Sequence, residues 1–169
     1  LLSQSVSYLF AAEISGILTG TEGKPLIING NPVPLDVSGQ FRYISDADRE
    51  SYYEIDYGKQ VTLYLHPTDR IALQIDVREP VSQIQITGDR LIINRHLIRE
   101  AHESSLTNQK FINNFVGIVS MREDAFLEYI DNLWQPFEQR FDTFIKEKNI
   151  SDRYFINSQS IVLLYSKAG

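Results

Sequence analysis

The chain has 169 residues, 43% hydrophobic and 22% charged, which suits one globular domain or a domain with a helical appendage. Its 22 acidic residues outnumber 16 basic ones, for a net charge of −6. That argues against a nucleic-acid partner, since phosphates are met by clustered Lys and Arg, and the nearest approach here is the scattered Arg90, Arg95 and Arg99. With no cysteine, the chain can run no thiol–disulfide exchange by itself and has no disulfide framework.

The start, Leu1-Leu2-Ser3-Gln4, lacks an initiator Met and a basic region, so it reads as a mature or trimmed chain. Residues 7–90 read as strands. Asn29-Gly30 and Ser38-Gly39 are turn pairs of the kind that close hairpins. Tyr52-Tyr53-Glu54-Ile55-Asp56-Tyr57 alternates as a half-buried strand does, and Val61, Leu63 and Leu65 share a face opposite Thr62, Tyr64 and His66. Pro67-Thr68-Asp69 breaks that run before Ile71, Leu73, Ile75 and Val77 alternate again, and Ile84 and Ile86 form one more short strand. Short strands with frequent turns predict an antiparallel β-sandwich or partial barrel over 7–90.

From residue 91 the period becomes helical. One helix is expected over roughly Ile93 to Ser105 and another from near Ser151 through Phe155 and Val162. Between them, Ser120-Met121-Arg122-Glu123 fits a capping box. Behind it Phe126, Ile130, Leu133, Phe137, Phe141 and Phe144 form one apolar stripe, with Pro136 inside it as an expected kink or interruption. Each of these side chains is worth roughly 1.5–3 kcal/mol when buried, so the stripe is expected to pack on the sheet, on other helices or on a further domain. The apolar end Ile161-Val162-Leu163-Leu164-Tyr165 reads as cut from a longer protein. The expected class is α+β, with a helical segment over 91–169 following the sandwich. No run of 18 apolar residues occurs, so no membrane-spanning helix is expected.

Candidate sites are few. His66 precedes Pro67 at a strand end. His96, Glu100 and Glu103 share one helix face and offer three metal donors, but a structural zinc usually takes four, often with Cys; His102 points elsewhere. In the acidic stretch Asp46-Ala47-Asp48-Arg49-Glu50, a twelve-residue calcium loop fails, because Ser51 stands where Gly is needed and Tyr57 where the bidentate Glu belongs. No nucleophile elbow or phosphate loop occurs, and Asn149-Ile150-Ser151 is a glycosylation sequon only in form. No catalytic, cofactor or metal residue is assigned. Tyr52, Tyr53, Tyr57 and Tyr64 crowd the middle strands, either as packing or as a surface that stacks on sugars or grips a peptide.

One arrangement resembles a known family. Gly16, Pro34-Leu35-Asp36-Val37-Ser38-Gly39-Gln40-Phe41, the Tyr-rich strand, Leu63-Tyr64-Leu65-His66-Pro67-Thr68-Asp69-Arg70-Ile71, Gly88-Asp89 and Asn94-Arg95-His96-Leu97 follow one another. This is similar to the N-terminal accessory region of thioredoxin-like thiol–disulfide oxidoreductases of the Bacteroidetes cell envelope. The resemblance covers about residues 12–165 and departs at Thr68, where that family usually has Gly, and at His96, where Tyr is common. It implies a non-catalytic accessory domain in the periplasm, or lipid-anchored through an upstream segment. The partner would be a downstream thioredoxin-like domain or its client protein. The alternative reading is a free-standing envelope module that binds a glycan or peptide.

Overall fold

The computed structural model describes residues 11–168 except 22 and 24, with side chains as far as Tyr165. Residues 7–10 of the expected strand region, and the chain start at Leu1, lie outside the described residues. The strands are β1 (Glu13–Thr19), β2 (Leu26–Ile28), β3 (Asn31–Val33), β4 (Gln40–Ile44), β5 (Ser51–Asp56), β6 (Gln60–Leu65), β7 (Arg70–Asp76) and β8 (Gln85–Gly88). The helices are α1 (Leu91–Asn113), α2 (Phe115–Val119), α3 (Glu123–Glu147) and α4 (Arg153–Ala168). The class is therefore α+β, as the patterning predicts.

The strands form two four-stranded sheets, ordered β4-β1-β7-β8 and β3-β2-β5-β6, and neither closes into a barrel. Among the described residues pairing is antiparallel with one exception: β1 and β7 run parallel, with Gly16 opposite Leu73. A parallel neighbour requires a long connection, and here the chain passes through β2 to β6 before it returns as β7. Gly16 permits the close approach, because a Cβ there would stand 2.0 Å from the Leu73 carbonyl oxygen.

Period-two alternation turns one face of each strand inward. Ile14 and Leu18 of β1, Phe41 of β4, Ile71, Leu73 and Ile75 of β7, and Ile86 of β8 meet Leu26, Ile28, Val33, Tyr53, Ile55, Val61, Leu63 and Leu65 from the other sheet in one buried cluster. Asn29 and Gly30, with φ of 49° and 75°, close the β2–β3 hairpin as a primed turn. Ser38-Gly39 does not close a hairpin. It lies in the link that carries the chain from β3 in one sheet to β4 in the other, where Asp36 Oδ1 accepts from the amides of Ser38 and Gln40 at 2.8 and 2.9 Å.

The chain divides into two compact units, one ending at His102 and one beginning at Glu103. The change to a helical period marks the start of α1 at Leu91, while the division falls inside that helix.

In the second unit the apolar stripe is used by halves. Phe137, Phe141 and Phe144 are buried, with the rings of Phe141 and Phe144 6.1 and 6.4 Å from that of Phe155 on α4. Phe126, in contrast, remains 37% exposed. The expected interruption at Pro136 does not occur, since α3 is continuous from Glu123 to Glu147. The missing amide costs roughly 3 kcal/mol, and burial of the phenylalanines just beyond it offsets that. The capping box is not formed either. Ser120 ends α2 and donates to the Val116 carbonyl at 2.7 Å, and Arg122 occupies the cap position of α3. Among the described residues no helix is long and apolar enough to cross a membrane.

Candidate functional site

Of the residues quoted in the resemblance, Tyr64, His66, Asp69, Arg70, Asp89 and Asn94 come together where the β6–β7 turn meets the start of α1. Asp69, only 7% exposed, accepts the His66 amide at 2.8 Å, and the Asp69 amide donates back to the His66 carbonyl at 3.0 Å. Arg90 Nε lies 2.6 Å from Asp69 Oδ2, an ion pair whose N–H is not aimed well enough to count as a hydrogen bond. Asp89 accepts the Arg70 amide at 2.8 Å and returns its own amide to the Arg70 carbonyl at 2.9 Å. Asn94, fully buried, takes the Tyr64 amide on Oδ1 at 2.7 Å and donates through Nδ2 to the Tyr64 carbonyl at 3.0 Å. These polar groups are committed to holding turn, strand and helix together.

A shallow hollow of about 520 Å³ lies beside this cluster, lined by Ala11, Ser45, Asp46, Ala47, Asp48, His66, Pro67 and Thr68. The His66 ring is set by Tyr64, whose hydroxyl is 3.2 Å from Nε2 and whose ring meets it edge-on. Ser45 is buried, and its hydroxyl bonds the Tyr53 hydroxyl and accepts the Ala47 amide at 3.0 Å. A nucleophile needs a free hydroxyl with a base in reach, and that hydroxyl is already engaged. Asp46 and Asp48 are exposed on the rim.

The four tyrosines do not make a common surface. Tyr53 and Tyr57 point into the core with 2% exposure each, alongside Ile55. Tyr52 and Tyr64 are cross-strand partners on the opposite face, with rings 5.1 Å apart, but Tyr64 is wholly buried and only Tyr52 is half-exposed. A sugar- or peptide-gripping face made of all four is therefore excluded by their burial. Burial pushes the Tyr57 hydroxyl up to about 12, and burial raises Tyr53 and Tyr43 as well.

The second histidine, His96, is buried, and its Nδ1 lies 3.3 Å from Arg99 Nη2. Glu100 pairs loosely with Arg99 at 3.8 Å, and Glu103 and His102 are half-buried. Among the described residues no three His, Asp or Glu side chains come together as a metal site, including those of the 46–50 stretch. Asn149 sits exposed after the end of α3 with φ of 51°. Sequence reasoning missed the roles of Asn94 and of the Asp69–Arg90 pair. The available signal was an amide on the apolar face made by Ile93, Leu97 and Ile98.

No protein-family model, no curated protein and no solved structure matches this chain.

Proposed function

We propose that the chain is a non-catalytic accessory domain of a cell-envelope thiol–disulfide oxidoreductase, one that positions a thioredoxin-like domain or recruits its client. The protein would lie in the periplasm or be held at the membrane by a lipid anchor. The observation that carries the reading is the apolar surface of the helical unit. Tyr154, Ile161 and Tyr165 on α4 share a row and are 47%, 52% and 72% exposed. Phe115, Val116 and Val119 on α2 are 52%, 78% and 60% exposed. Exposed apolar side chains of this size favour contact with another protein surface. Three polar residues of the resemblance, Asp69, Asp89 and Asn94, support the same reading, since they are used in internal bonds that hold the fold.

The test is a disulfide-reduction assay on the protein from the complete reading frame, on this chain alone, and on the full protein lacking this segment. The expected result is a Cys-x-x-Cys domain in the frame, no turnover by the chain alone, and slower turnover of a protein client without the segment. Turnover by the chain alone, or a frame with no redox domain, removes the proposal.

A further inference from the structure

We infer that two copies of this chain associate, α1 of one lying along α3 of the other. On α1, Ile92, Arg95, Arg99 and His102 are spaced three, four and three residues apart, which puts them in one row. Ile92 is 53% exposed, Arg95 is exposed, and the Arg99 side chain is 58% exposed. On α3, Asp124, Leu127, Asp131, Trp134 and Glu138 repeat at three, four, three and four. The Asp124 side chain is 71% exposed, Leu127 58%, and Asp131 is exposed.

Rows with alternating three and four spacing are the ones that let two helices lie side by side. Here the two rows are opposite in sign. Residues 123–138 hold five carboxylates and no Lys or Arg, while the α1 row carries two guanidinium groups. Each row also brings an exposed aliphatic side chain, Ile92 or Leu127, to exclude water from the contact. Arg99 pairs with Glu100 at 3.8 Å and lies 3.3 Å from His96 Nδ1, and Asp124 pairs with Arg122 at 3.2 Å. Exposed pairs of this kind contribute little and exchange easily. The carboxylate row repels anionic lipid and nucleic acid, whereas a second copy of the chain supplies the complementary row itself.

The test is sedimentation velocity on the intact chain at low and high concentration, in about 0.05 M and about 1 M salt. The expected result is self-association that weakens at high salt. Arg95→Glu with Arg99→Glu, or Asp131→Arg with Glu138→Arg, weakens it roughly tenfold. Mixing the two charge-reversed variants restores it. Should a reversed variant fold poorly, Arg95→Gln with Arg99→Gln gives the same direction of change. A chain that stays monomeric at every concentration overturns the inference. So does association that ignores both reversals, or a mixture that fails to recover.

Discussion

The side-chain amide of Asn94 serves both backbone hydrogen-bonding groups of Tyr64, taking its N–H at 2.7 Å and giving to its C=O at 3.0 Å. Among the described residues strand β6 is the last in its sheet, so there those groups would otherwise be unpaired at an open edge. Asn94 thus stands in for one residue of a missing neighbour strand, and a third bond, to the Arg90 carbonyl at 3.2 Å, fixes the amide on the first turn of α1. Asn94→Ala leaves two buried backbone groups unsatisfied, at about 1–3 kcal/mol each. Urea denaturation is expected to record a loss of about 2–5 kcal/mol. A change within about 0.5 kcal/mol, typical of an indifferent surface site, would mean the clasp contributes nothing. Asn94→Asp keeps the acceptor but sets a carboxylate against the Tyr64 carbonyl, and is expected to be no better than Ala.

Gly16 and Gly30 separate two reasons for glycine. At Gly16 a Cβ would meet the Leu73 carbonyl oxygen at 2.0 Å, and this atom is held in the parallel β1–β7 ladder. Gly16→Ala is expected to cost about 3 kcal/mol or more, at the upper end for overpacking. At Gly30 a Cβ would meet nothing within 4 Å, but φ is 75°. Gly30→Ala is expected to cost only the left-handed backbone strain, about 1–2 kcal/mol. Thermal melting of the two variants checks the order, and equal shifts would show that the β1–β7 approach is not tight.

The two-faced strands from 51 to 77 were legible because alternation is the direct imprint of a sheet with one face in the core. Tyr53 and Ile55 went in, and Glu54 stayed out. What surrounds the outer face leaves no such imprint. Tyr64 was legible as pointing away from Leu63 and Leu65, yet its burial depends on Tyr52, His66 and Asn94, residues brought together by folding. The parallel pairing of β1 with β7 was invisible for the same reason, because Gly16 and Leu73 are partners with no local signal linking them. The phenylalanine stripe was legible as a row, but only its C-terminal half meets Phe155. The start of α4 was placed close to its true position; Asp152 caps it, accepting the Phe155 amide at 3.0 Å.

Tyr57 predicts an alkaline limb in the stability profile. Burial moves its hydroxyl from the ordinary 10.0 to about 12. The folded state therefore favours the neutral phenol. Its contribution is whole below about pH 10 and is lost as pH rises toward 12, because the unfolded chain releases that proton first. Burial also raises Tyr43 and Tyr53, so they add to the same limb. Tyr57→Phe is expected to leave stability nearly unchanged at neutral pH and to flatten part of the decline above pH 10. Urea midpoints measured on either side of that pH decide it. An unaltered slope would mean that Tyr57 titrates as it does in water.

The helical unit predicts a contrast along one stripe. Phe155 is fully buried, with its ring near those of Phe141 and Phe144, while Phe126 on the same apolar row of α3 keeps 37% exposure. Removing a large buried aromatic ring costs about 3–5 kcal/mol, through lost transfer energy and the cavity left behind. Phe155→Ala is therefore expected to melt the α3–α4 pair early, seen as loss of helical circular dichroism at low urea. Phe126→Ala removes a ring that already meets water and is expected to cost about 1 kcal/mol or less. If the two variants were equally damaging, Phe126 would have to be packed in solution as tightly as Phe155, and the stripe would then be used along its whole length.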